Sequence, residues 1–177
     1  MTNNSTTIHS PDQDNSNRPE LSIVVPVHNE EHYIVLLAKE ISAVLQGNLT
    51  YEIIYVDDGS SDNSHKVLAN LTVTLADFRA IQHLDRSGQS AAIYSGVLAA
   101  RAPLVITLDG DGQNDPTDIP LILETYFSHA GEDGRLMVSG WRKRRYDSWG
   151  KRFSSHIANT LRSRLLSDKT PDTGCGL

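Results

Sequence analysis

Apolar runs and helical stripes alternate along this chain from residue 21 onward. "LSIVVPV" (21–27), "EIIYV" (52–56), "RAIQHL" (79–84), "PLVITL" (103–108) and "RLMVSG" (135–140) read as strands. Most are continuously apolar rather than alternating, the pattern of strands covered on both faces. Between the first two runs, Ile34, Leu37, Ala38, Ile41, Val44 and Leu45 fall at helical spacing. Further helices are predicted near 62–71, 89–101 and 116–129. The last opens with Asp115 and Pro116, an N-cap followed by proline in the first turn. Strand and helix in repetition predict an α/β domain with a mostly parallel, doubly wound sheet and flanking helices. In such sheets ligands bind outside the carboxyl ends of the strands. The segments to inspect are therefore "PVHNEE", "DDGSSD", "DRSGQS", "DGDGQND" and "GWRKRR".

Length and composition narrow the class. The 177 residues, 38% hydrophobic and 21% charged, suffice for one domain with a core. The net charge of -6 offers no argument for a nucleic-acid partner. Charge is uneven, however: between Arg142 and Arg164 there are eight Lys or Arg against the single acid Asp147. Such a block suits either a local anionic partner or a solvated helix face. A lone cysteine, Cys175, leaves no internal disulfide and makes a reducing compartment the default. Residues 1–20 are mostly Ser, Thr, Asn and Asp with almost nothing to bury, and read as a disordered tail without the apolar stretch of a secretory signal. No run approaches the roughly 18 apolar residues that a membrane span requires.

The acidic strand ends carry the chemistry. No G-x-x-x-x-G-K-S/T occurs, and the first strand does not run into G-x-G-x-x-G, which removes the P-loop and the dinucleotide fingerprint. "DGDGQNDPTDIP" departs from a calcium loop, with Asn114 at the glycine position and Pro120 at the closing acid. Glycines at 110 and 112 allow a tight turn that brings oxygens of Asp109, Asp111 and Gln113 toward one point. A few hard oxygen ligands suit Mg²⁺ or Mn²⁺ completed by water and phosphates. Taken alone, the same residues suit an Asx-rich turn capping the next helix equally well.

"SIVVPVHNE", "YEIIYVDDGSSDNS", "RSGQSAAIYSGVLAA" and "VITLDGDGQNDP", in that order, resemble the motifs of the family 2 glycosyltransferases with a GT-A fold. The likeness is greatest to the branch holding dolichol-phosphate mannosyltransferases and bacterial undecaprenyl-phosphate sugar transferases, and covers residues 21–177. It implies a nucleotide-diphosphate sugar donor, a polyprenyl phosphate acceptor and transfer with inversion. Pro26, His28 and Glu30 then fall on the loop that holds base and ribose. Asp58, preceded by Asp57, matches the acid that contacts the base. Gly88 opens a helix beside the donor. Asp109 and Asp111 match the D-x-D, with Gln113 as a further metal ligand. His28 departs from the tyrosine common at its place. The family continues beyond the point where this chain stops at "DTGCGL", so the expectation is a catalytic domain truncated at its C-terminus.

The resemblance also orders the basic block. Trp149, Phe153, Ile157, Leu161 and Leu165 form an apolar stripe, with Arg152, Ser155, Asn159 and Arg162 opposite at about 100° per residue. "SGWRKRR" is similar to a G-S-R segment that contacts the lipid phosphate, which gives that role to Arg142, although Trp141 replaces the usual serine. Arg152 and Ser155 resemble the residues that complete the acceptor pocket, and Asp172 is a candidate neighbour of it. The same helix suits an anionic membrane surface, so the expected location is cytoplasmic, peripheral at the inner face of the membrane. Two rivals remain: a transferase of the same fold acting on a hydroxyl acceptor, and a non-catalytic nucleotide-sugar-binding module.

Overall fold

The computed structural model describes residues 18–131 and 134–140. Strands β1 (Leu21–Val27), β2 (Tyr51–Asp57), β3 (Phe78–Gln82) and β4 (Leu104–Thr107) form one parallel sheet in the order β3-β2-β1-β4. Helices α1 (Ile34–Leu45), α2 (Ser64–Thr74), α3 (Gln89–Ala99) and α4 (Ile119–His129) connect and flank them. β1 pairs along its whole length with β2, and through Leu21 to Val24 with β4. All seven of its residues are buried, which is why its sequence is apolar without alternation.

Each face of the sheet has its own cover. Leu21, Ile23, Val25 and Val27 of β1 pack with Ile34, Leu37, Ile41 and Leu45 of α1, Leu68 and Leu71 of α2, and Ile119 and Leu123 of α4. Each fully buried aliphatic side chain of this kind contributes about 1.5–3 kcal/mol. On the other face, Ile54 and Val56 meet Ala92 of α3. That helix lies directly on the sheet, since a Cβ on Gly96 would drive into the side chain of Val24.

The path of the chain sets the site. It steps outward from β1 to β2 and β3, and α3 then returns it across the other face to β4. The connections diverge between β1 and β4, where a parallel sheet opens a crevice at its carboxyl rim. β2 and β4 are not neighbours, because β1 lies between them. Their ends nevertheless share that rim.

At the opposite rim a carboxylate closes the structure. Glu52 is buried, and its Oε1 accepts from the Ser22 hydroxyl (2.7 Å) and the Arg101 N–H (2.6 Å). Its Oε2 accepts from Arg79 Nη1 at 2.8 Å, and Arg79 also donates to the Ala99 carbonyl at 2.8 Å.

Four predicted strands are present within a residue or two of their expected bounds. The run 135–140 is not a strand: it has no regular structure, Met137 is 88% exposed, and the Leu136 N–H turns back to the Gly134 carbonyl at 3.1 Å. An apolar run becomes a strand only where a neighbour supplies ladder partners, and here the run pairs with none of the described strands. The predicted helix at 116–129 opens with a separate helical turn, Pro116–Asp118, whose Thr117 N–H donates to Asp115 Oδ1 at 2.9 Å. Asp115 is thus a cap.

Candidate active site

Loops leaving β1 and β2 are laced together first. Asn29 takes a left-handed backbone (φ 60°), which asparagine tolerates better than most residues. Its Oδ1 accepts from the N–H groups of Ser61 (2.8 Å) and Asp62 (3.3 Å), and its own N–H donates to Ser60 Oγ (2.9 Å). The Glu30 N–H donates to Ser64 Oγ at 3.1 Å. His28 Nδ1 lies 2.9 Å from the Asp58 carbonyl. A carbonyl oxygen only accepts, so Nδ1 carries the proton and the ring is held against the β2 loop.

Asp58, just past β2, is 3% exposed and closely held. Oδ1 accepts from the Ser87 N–H and from His83 Nδ1, both at 2.8 Å, and Oδ2 accepts from the Gly88 N–H at 2.7 Å. Burial alone would raise this carboxyl. The Ser87 N–H, the His83 ring and the Gly88 N–H outweigh it and hold the group below the ordinary carboxylate range. Asp57 points elsewhere: its Oδ1 caps the turn by accepting from the Ser60 N–H (2.9 Å), and its buried Oδ2 has no protein partner.

Asp109 and Asp111 leave the end of β4 around Gly110. That glycine is required by space, since a Cβ would stand 2.5 Å from Val27 Cγ1 and 2.7 Å from the Pro26 carbonyl oxygen. Any side chain would lift the loop off β1. Gln89 of α3 donates from Nε2 to Asp109 Oδ1 at 2.7 Å. Asp111 Oδ1 accepts from the Gln113 N–H at 3.0 Å.

These loops border one cleft of about 300 Å³. Pro26, His28 and Glu30 line it from β1, Asp58 from β2, and Asp109 and Asp111 from β4. Arg86 and Gln89 close it from the β3–α3 side. Gln113 lines a separate cavity over α1, with Glu40 and Asn114. Gly88 gives its N–H to Asp58, so the start of α3 serves the protein's own carboxylate. Arg142, Arg152, Ser155 and Asp172 lie outside the described residues. A groove of similar size along β4 is lined mainly by apolar side chains such as Val105, Ile106 and Met137, and carries no carboxylate.

The donor set of the cleft fits a divalent cation. Burial, then the charges of Asp111 and Asp62, push the Glu30 carboxyl above its usual range, with His28 pulling the other way. A carboxyl raised by burial and by neighbouring carboxylates marks local negative charge, which a bound cation relieves. Among the described residues no three His, Cys, Asp or Glu side chains are grouped to enclose a metal. A cation here would rest on few carboxylates and take its remaining oxygens from water and ligand phosphates, the arrangement Mg²⁺ favours.

Sequence reading missed His83, Ser95, Arg86 and Gln89. The segment "DRSGQS" pointed to the loop, but nothing in it marks a histidine two residues upstream as a partner of Asp58.

Comparison with known proteins gives the family and the fold. The profile for glycosyl transferase family 2 matches residues 22–176. The undecaprenyl-phosphate 4-deoxy-4-formamido-L-arabinose transferase of Proteus mirabilis is 38% identical over 161 residues, covering 89% of this chain and 48% of that protein. The dodecaprenyl-phosphate galacturonate synthase of Rhizobium johnstonii is 36% identical over 164 residues, covering 89% and 46%. The chain spans about half the length of the curated relatives it matches. Among solved structures, glucosyl-3-phosphoglycerate synthase from Mycobacterium tuberculosis in complex with UDP superposes with a TM-score of 0.61, at 22% identity, over 86% of this chain and 52% of that one. At that identity the likeness establishes the fold, which is GT-A. With the profile running from β1 to the penultimate residue, the chain belongs to glycosyl transferase family 2.

Proposed function

We propose that residues 21–177 form the donor-binding part, and at least part of the catalytic domain, of an inverting glycosyltransferase. It moves a sugar from a nucleotide-diphosphate sugar to a polyprenyl phosphate. The observation that carries this reading is the meeting of Asp58, Asp109 and Asp111, from two different strand ends, on one cleft beside the switch between β1 and β4. Relatives named for transfer to undecaprenyl or dodecaprenyl phosphate support the acceptor.

In this reading Asp58 binds the base, while Pro26, His28 and Glu30 border the nucleoside. Asp109 and Asp111 hold Mg²⁺ or Mn²⁺. Gln113 is a third candidate ligand, tied to Asp111 through its N–H. A bound divalent ion supplies charge neutralisation for the diphosphate as it leaves. Gln89 fixes the rotamer of Asp109. An oxygen of the acceptor phosphate attacks the anomeric carbon from the face opposite the diphosphate. The new C–O bond forms as the bond to the nucleotide breaks, and the configuration inverts. That phosphate is already anionic at neutral pH, so no side chain need take its proton. Arg142, Arg152 and Ser155 are the candidates for holding it, and the protein would work at the cytoplasmic membrane surface. Among the described residues no helix is long and apolar enough to cross a membrane.

The test is a mass-spectrometric donor screen with undecaprenyl phosphate as acceptor, with and without Mg²⁺. A polyprenyl phospho-sugar formed only with the ion is expected. Transfer to an oligosaccharide hydroxyl, with none to the lipid phosphate, would overturn the acceptor assignment.

A further inference from the structure

We propose that His83 is a positioning residue for the nucleoside half of the donor, acting through Asp58; this rests on the donor reading above. His83 is the first residue past β3, and its N–H is anchored on the Asp57 carbonyl at 2.8 Å. Its ring bridges two elements, with Nδ1 at 2.8 Å from Asp58 Oδ1 and Nε2 at 2.9 Å from Ser95 Oγ in α3. An ionised carboxylate only accepts, so Nδ1 carries a proton. Nε2 then accepts from the Ser95 hydroxyl when the ring is neutral, or donates to it when the ring is charged. The hydroxyl rotates to suit either case, so ring and carboxylate keep one orientation in both states.

What this does to Asp58 follows from its lone pairs. His83 and the Ser87 N–H occupy Oδ1, and the Gly88 N–H takes one position on Oδ2. The remaining position on Oδ2 is what the carboxylate offers the cleft. Removing the imidazole leaves one backbone donor on each oxygen, both from the loop that enters α3, and takes away the contact from the end of β3 that sets the carboxylate against the cleft. The wiring matches that of a Ser-His-Asp triad. Ser95, however, sits within α3 and does not line the cleft, so it serves as a support for the ring. The same helix holds Asp109 through Gln89. α3 therefore braces one carboxylate in each half of the cleft.

Calorimetric titration of UDP and GDP with Mn²⁺ present tests this, using the nucleotide that wild type binds. His83→Leu should weaken binding roughly tenfold or more, the effect of losing a buried hydrogen bond to a charged group. His83→Asn, which keeps a donor near the Nδ1 position, should restore most of the affinity. In an Asp58→Ala background, His83→Leu should cost nothing further. Unchanged affinity in His83→Leu, or a full additional loss in the Asp58→Ala background, would overturn the proposal while leaving the donor site standing. Binding of neither nucleotide by wild type would instead remove the donor reading and this proposal with it. If His83→Leu does not fold, Ser95→Ala takes its place: roughly threefold weakening supports the relay, and none overturns it.

Discussion

Glu52 and Asp58 sit at opposite ends of β2, both buried and both carboxylates, yet their surroundings assign them opposite work. Glu52 is held by groups that close the sheet at the rim opposite the candidate cleft. Asp58 is held from behind by two N–H groups and an imidazole, and borders the cavity. Its depressed folded pKa has a signed consequence. A carboxyl held below its unfolded value of about 3.9 contributes stability that is complete above that pH and lost as pH falls through the folded value. Urea unfolding as a function of pH should therefore show wild type losing more stability on acidification below about pH 4 than Asp58→Asn does. Parallel profiles would mean that the clamp on Asp58 is not formed in solution. The strand-end rule marked the segment that holds Asp58, and the likeness of "YEIIYVDDGSSDNS" to a family motif chose Asp58 within it. Both left His83 invisible, since the contact joins residues 25 apart in the chain and has no periodic signature.

Among the elements, β1 and α1 were the most legible. The apolar spacing of Ile34, Leu37, Ala38, Ile41 and Leu45 is the buried stripe itself. The run at 135–140 misled because an apolar run is a strand only where a neighbour supplies ladder partners and cover, and here Leu136 and Met137 are exposed. The turn after β4 shows how an element places chemistry. Gly110 lets the backbone pass against Pro26 and Val27, which sets Asp109 and Asp111 on the β1 side of the cleft. Gly110→Ala should lower stability by about 1–3 kcal/mol in urea unfolding, the usual cost of overpacking. Nucleotide affinity should fall with it, because both carboxylates move with the loop. An alanine variant as stable as wild type would show that the loop does not lie on β1.

At the scale of the whole molecule, side-chain hydrogen bonds tie the sheet at both rims, through Glu52 at one and Asp58 at the other. Arg79→Leu leaves Glu52 buried without its cation, at a cost of about 2–3 kcal/mol. That is below the range for a fully buried pair because Arg79 is 32% exposed. The deficit should shrink as acid protonates the unpaired Glu52, and a pH-independent deficit would refute the ionic account. Alternation and crossover rules give the parallel, doubly wound class, but the strand order β3-β2-β1-β4 and the positions of Gln113 and Asp57 depend on how each connection and turn closes, which no pattern of apolar residues encodes. In the proposed function Asp109 and Asp111 hold a divalent ion together with the donor's diphosphate. Calorimetric titration of a nucleoside diphosphate into folded wild type and Asp111→Ala, each with Mn²⁺ and with chelator, tests it most directly. Tight binding is expected only for wild type with Mn²⁺. Equal binding by Asp111→Ala, or by wild type in chelator, would contradict it.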